Sequence, residues 1–483
     1  MLAHHYLQAL ELTAAAGGSI EPFAAGARRA LADAGERAFA LSAYDAAARF
    51  FRAALDLPSD EELDRARLVL RLGRTLFLLG EIETQLLEQA RAELLAAGDV
   101  EGAAEADASL GELHWMAGER DPAFASLDRA LALVDELPPS ETKARVLALA
   151  SRFNMLSGNY RESIRRGEAA IEMARRLGLR EIEAGAMVNV GGARGFAGQT
   201  VTLLEEAIVV AREANAAFDL CRATGNLASL HWVLGRLELA NVLWREAEGD
   251  SERYGQKGFS RWLRGLRPKI AYELGSWDDA LADAETFIAE VEAGSPHYLA
   301  PQQYLIRAKI RVARLESEGG DIERGVELAR RAKDPQILYE VLGMASHALE
   351  VLGESERALA LAGEVVAAFG AEEEMGFSVA VAPQLAWTLT RAGRGEEVAR
   401  VLQGAADVPW TRAAIAFARG DARGAADILA DMDAETAEAY CRLEAARDGD
   451  LSQLEPALAF YRSVGATRYL REAESLLATS RSA

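Results

Sequence analysis

Cysteine is nearly absent: Cys221 and Cys441 are the two in 483 residues. They fall in widely separated parts of the chain, which makes a bridge between them geometrically implausible, and both read as reduced helix residues. Aromatic residues supply 7% of the sequence and β-branched residues never gather in alternating runs, which argues against a sheet-built core. Positive charge is also short. The 53 Lys and Arg against 75 Asp and Glu leave a net charge of −22, and general nucleic-acid binding, which neutralises phosphates with a cationic surplus, is not expected. No stretch approaches the roughly 18 uninterrupted apolar residues of a membrane span, and the start lacks the basic-then-apolar layout of a signal peptide. A cytoplasmic protein without membrane or cofactor partners is the expectation.

Catalytic motifs are missing too. No Gly-x-x-x-x-Gly-Lys-Ser/Thr loop occurs; the run Gly191-Gly192-Ala193-Arg194-Gly195 imitates one but has neither the lysine nor a preceding strand, and reads as close helix packing. Of six histidines only His4 and His5 are neighbours, and adjacent helical residues diverge too far to chelate a metal. The acidic run Glu372-Glu373-Glu374 reads as a solvated loop. No catalytic or metal-binding residue is assigned, and the chain is read as a non-enzyme.

What the sequence has is a repeat. Half of it is apolar, with alanine, leucine, glutamate and arginine prominent, as in packed helices. Gly80, Gly118, Gly158, Gly198, Gly235 and Gly275 recur at intervals of 38, 40, 40, 37 and 40, followed less regularly by Gly320, Gly353, Gly393, Gly420 and Gly449. Each can take the left-handed conformation that ends a helix, and a polar residue often follows to begin the next. Five positions later comes a small residue, as at Ala123, Ser163, Ala240, Ala280, Gly325, Ala358 and Ala425, where two helices must approach closely. This predicts an all-α, right-handed superhelical solenoid of about eleven or twelve tandem helical hairpins over 31–483, closed by a C-terminal capping helix and preceded by a linker helix over 1–30. Pro268 and Pro383 are expected to kink the first helices of their repeats.

Gly111 with Gly118, Tyr160 after Gly158 and Trp277 after Gly275 resemble the tetratricopeptide repeat, whose pattern places a small residue in the first helix and Gly-x-Tyr, Ala, Phe/Tyr and Ala in the second. The repeats here exceed that family's usual length, which leaves a HEAT-like array as the alternative. The opening Leu2-Ala3-His4-His5-Tyr6-Leu7 and the closing Phe460-Tyr461-Arg462-Ser463-Val464-Gly465 resemble the two ends of the repeat region in bacterial adenylate/guanylate-cyclase-like and AAA/NTPase-containing signalling proteins. That resemblance implies a fragment or split product without the cyclase and NTPase domains, so no activity is carried across.

First helices of such hairpins line the concave face. Nine residues before Gly198 and Gly235 stand Asn189 and Asn226, which match the position where peptide-binding members of the resembled family carry a backbone-contacting asparagine. A helix-to-helix hydrogen bond is the competing role. The same register places Arg145, Arg152, Arg222 and Lys269 as a basic cluster, with Ser229 among them and Trp232 and Tyr272, besides Trp115, Phe196 and Trp262, as apolar contacts or core. The expected function is a non-catalytic scaffold or sensor that binds a protein or peptide segment bearing acidic or carboxylate groups and couples it to a signalling domain. Small-molecule effector sensing is the alternative.

Overall fold

The computed structural model describes residues 2–482 except 59–61, 82, 199, 317–319 and 372–377, so the run Glu372–Glu374 lies outside the described residues. Among those described there are twenty-seven α-helices, two short 3-10 helices and no strand.

The helix Tyr160–Leu177 shows why the sequence folds this way. Its buried residues Tyr160, Ser163, Gly167, Ala170 and Ala174 recur every three or four positions and form one stripe, while most of the exposed positions are charged. Gly178 then takes φ 72° and ends it. The inner partner Arg180–Gly198 is buried almost all round, because it meets helices on both sides. Glycine makes that approach feasible. A methyl group on Gly192 would fall 2.4 Å from the sulfur of Met155, and one on Gly167 would fall 2.3 Å from Val190. The small-residue stripe has the same physical cause: Ala123, Ser163, Ala240, Ala280, Ala358 and Ala425 are all fully buried.

The repeat glycines end first helices through a six-to-one backbone bond. At Gly118 the amide of Glu119 donates to the carbonyl of His114 at 2.8 Å, and at Gly158 the amide of Asn159 donates to Asn154 at 2.8 Å. Gly198 and Gly320 differ: Gly198 is the last residue of its helix and Gly320 the first of Gly320–Ala332, while Leu315, at φ 61°, is the left-handed stop of Ala300–Arg314. Of the polar residues that follow, the Asp421 and Asp450 side chains cap the next helix, whereas Asn159 and Ser276 occupy the cap position without a side-chain bond.

Pro268 stands near the start of Arg267–Glu273, separated from Lys257–Arg264 by Gly265 and Leu266, so the first helix of that repeat is broken in two. Pro383 heads Ala382–Arg391 and does not kink it. Its ring occupies a position where no intrahelical amide bond is required. Residue 30 falls inside the helix Glu21–Ala40, which packs on Tyr44–Leu55 as a hairpin, so the separate first element is Leu2–Ala15.

The hairpins wind until successive superhelical turns touch. Gly80 lies against Gly258, and a methyl group on either would come within 3.1 Å of the other's backbone. Tyr298 donates its amide to the Met116 carbonyl at 3.2 Å. Trp410 donates its indole N–H to the Trp232 carbonyl, 178 residues away, at 2.9 Å, and Gln336 reaches the Leu156 carbonyl across 180 residues. Thus one turn takes roughly 180 residues, and the hairpin ends at Gly80, Gly118, Gly235 and Gly275 are contact points between turns. The last helix, Thr467–Ser482, packs on Ala300–Arg314, where Arg468 donates to the Val312 carbonyl at 3.2 Å.

Candidate functional site

The inner helices of the first turn line two adjoining, partly open hollows of about 900 Å³ and 1410 Å³, open solvent included, which share Phe77, Leu78, Arg152, Phe218 and Arg222. The larger is charged. Its walls carry Arg74, Arg145, Arg152 and Arg222 with Glu105, Glu112, Glu181 and Asp219. The smaller is aromatic, and both turns build it. Phe77, Trp115 and Met116 come from the first, and Gln256, Phe259, Trp262 and Tyr298 from the second.

The two asparagines have different surroundings. Asn189 is buried and occupied on both sides: its Nδ2 donates to the Ala148 carbonyl at 2.8 Å and its Oδ1 accepts from Arg222. It therefore makes the helix-to-helix bond that was the competing role, and holds a guanidinium in place. Asn226 lines the aromatic cavity, half-buried, with no hydrogen bond to its amide among the described residues. Its donor and acceptor are both uncommitted.

The basic cluster expected from the register is a set of ion pairs. Arg145 meets Glu141 at 2.8 Å, Arg152 meets Glu112 at 2.6 Å, Arg222 meets Asp219 at 2.8 Å and Lys269 meets Glu340 at 2.7 Å. Burial pushes the Arg222 pKa down to about 10, helped by the like charge of Arg152 and opposed by Asp219. Burial likewise raises the Asp219 pKa despite Arg222 beside it. Arg152 and Arg222 lie over the ring of Phe218, at 5.9 and 5.6 Å from its centroid. Each guanidinium is already committed to a carboxylate, so the wall is close to neutral.

The aromatic wall is continuous. Phe218 meets Phe259 edge-on at 5.9 Å, Phe259 stacks on Trp262 at 5.1 Å, and the Trp262 indole donates to the Tyr298 hydroxyl. Trp115 also lines this cavity.

The remaining candidates fall elsewhere. Ser229 donates to the Gly225 carbonyl of its own helix at 3.0 Å and takes no part in either wall. Phe196 is core, stacked on Tyr160. Trp232, Lys269 and Tyr272 line a separate, smaller cavity of about 310 Å³ with Glu273 and Gln384. There Lys269 sits 4.6 Å above the Trp232 ring and Tyr272 stacks on Trp277 at 5.3 Å. Among the described residues no group of three or more His, Cys, Asp or Glu side chains is arranged to hold a metal.

Sequence reasoning did not find Phe77, Gln256, Phe259, His297 or Tyr298. Their convergence depends on where one superhelical turn lands on the previous one, and no local pattern marks that. The Arg222–Asp219 pair did carry a signal, since the two residues stand three apart on one helix.

No family model and no curated protein matches the chain. Among solved structures it is similar to a Rap protein complexed with competence and sporulation factor, at 13% identity and TM-score 0.54, over 75% of this chain and 99% of that one. It is also aligned with yeast Tom70 at 12% identity over 96% and 97% of the two chains, with a TM-score of 0.31. The fold is thereby that of a tetratricopeptide-like helical solenoid, an all-α right-handed superhelix of tandem hairpins.

Proposed function

We propose that the chain is a non-catalytic binding scaffold that takes a peptide or protein segment into the interior of its first superhelical turn. The observation that carries this reading is the aromatic hollow walled by two turns, with the Asn226 amide uncommitted on its lining. Aromatic faces hold apolar side chains, and an amide that both donates and accepts suits a peptide main chain. The structural similarity to a Rap protein that was solved with competence and sporulation factor supports the same class of task. An occupant touching Phe77 and Phe259 together would tie the turns to each other, which gives the array a means of reporting occupancy to an attached partner. The resemblance of the chain's two ends to cyclase-like signalling proteins makes a signalling domain the proposed recipient.

The test is affinity selection from a synthetic peptide library on the full chain, followed by titration of the selected peptide against Asn226→Ala combined with Phe259→Ala. A loss of at least about tenfold in affinity, equivalent to about 1.4 kcal/mol, is expected. Equal binding by the variant would remove this cavity from consideration.

A second reading, small-molecule effector sensing, draws on the small hollow at Trp232, Tyr272 and Glu273, which is too small for a peptide. A metabolite library that raises the thermal midpoint of the wild type but not of Glu273→Gln would favour it.

A further inference from the structure

Gln256 carries information that no repeat register contains. It precedes the helix Lys257–Arg264, beside the contact between Gly80 and Gly258, and lines the aromatic cavity. Its side chain is fully buried, yet neither the nitrogen nor the oxygen of its amide has a hydrogen-bond partner. Most buried amides are paired, because losing water without gaining a partner disfavours the folded state. Here both halves of one amide are left unmet.

Two more groups in the same wall have polar atoms without a protein partner, the half-buried Asn226 and the buried His297. Asn226 makes no hydrogen bond through its amide among the described residues. His297 accepts the Leu299 amide N–H at its Nδ1, 3.2 Å away, which leaves the proton of the neutral ring on Nε2. That buried Nε2 has no acceptor. By contrast, the charged groups of the wall are served: Arg152 by Glu112, Arg222 by Asp219, and Arg261 by Glu290 at 3.0 Å. What the wall lacks is uncharged donors and acceptors, not counter-ions.

We propose that Gln256 and Asn226 form a clamp for a peptide main chain at the seam between the two turns, and that the segment they hold is uncharged and apolar. This rests on the peptide-binding reading above and departs from the acidic partner expected from sequence. A peptide group supplies one N–H and one C=O, which answers an amide with both functions unmet. Apolar side chains of the segment then meet Phe77, Trp115, Phe259 and Trp262. A carboxylate brought to this wall would find its guanidinium groups already paired and would lose its own hydration.

The test uses the full chain and two pools of end-blocked pentapeptides. One is built from Ala, Val, Leu, Met and Phe; the other carries Asp or Glu at alternate positions. Binding is read by the fluorescence of the tryptophans, of which Trp115 and Trp262 line the cavity. The apolar pool is expected to bind in preference. Gln256→Leu should weaken it about tenfold while the thermal midpoint holds or rises, because an unmet amide is replaced by carbon. Asn226→Ala, at a half-buried position, should weaken it with the midpoint unchanged. Preference for the acidic pool overturns the inference and leaves peptide binding standing. So does unchanged binding by Gln256→Leu, or a fall in its midpoint of several degrees, which would make the amide structural. If neither pool binds the wild type, the peptide reading falls with it.

Discussion

The same hairpin builds a hollow in the first superhelical turn and a filled axis in the second. Around Arg152 and Phe218 the inner helices stand back from one another and leave cavities of about 900 and 1410 Å³. From Trp232 onward bulky rings close the space: Trp232 lies 5.3 Å from Trp410, Trp387 4.4 Å from Tyr440, and Tyr461 4.9 Å from Tyr469. The hollow at Trp232 and Glu273 is smaller, about 310 Å³ by the same measure. The contrast teaches that the repeat sets the wall and the inward side chains decide between groove and core. Short charged pairs on inner helices leave room; aromatic residues reaching across from the next turn do not.

The largest way to break the contrast is at its densest point. Trp410→Ala removes a fully buried indole and its bond to the Trp232 carbonyl, and should cost about 3 to 5 kcal/mol in denaturant unfolding. Next is the buried charge of the second turn. Burial pushes the Glu273 pKa up to about 7, against 4.5 for an ordinary glutamate, with Lys309 and Lys269 opposing. A carboxyl that binds its proton more tightly folded than unfolded stabilises the fold below the unfolded value, and that contribution is lost as pH rises through the folded one. Glu273→Gln should therefore raise stability above pH 7 by on the order of 3 kcal/mol. It should also flatten the decline in thermal midpoint from pH 4.5 to 7.

At the seam itself, a methyl group on Gly258 would lie 3.0 Å from the Phe77 carbonyl oxygen and 3.1 Å from the Gly80 Cα. Gly258→Val should cost about 1 to 3 kcal/mol through overpacking, measured by chemical denaturation, and should speed amide hydrogen exchange at Phe77 to Gly80. The smallest effects separate the asparagines. Asn189→Ala, which strips a partner from buried Arg222, should cost about 1 to 3 kcal/mol. Asn226→Ala should stay within about 0.5 kcal/mol of wild type. Equal losses would erase the distinction between a structural and an open amide.

Where the sequence was legible follows from distance along the chain. Gly118, Gly158 and the stripe Ala123, Ala240 and Ala280 act within one hairpin, so their spacing displayed the fold. Inward positions such as Asn226 and Arg222 followed from the same register. The register could not separate Asn189 from Asn226, because the carbonyl that occupies Asn189 belongs to Ala148 on the preceding inner helix. The seam was out of reach. That Gly80 meets Gly258 depends on a twist summed over several repeats, and a small change per hairpin would set different residues opposite Phe77. Trp232 and Tyr272 read as core more readily than as groove, and their spacing did not show that Trp410 and Thr436 stand against them.

The most direct test of binding inside the first turn is photo-crosslinking with a benzophenone side chain at one of two sites. Phe259 faces the aromatic cavity, and Val242 stands 58% exposed on the outer helix Leu237–Arg253. With a library-selected peptide, the account predicts a covalent adduct from position 259 and none from 242. Labelling from 242 alone, or from both equally, would contradict it.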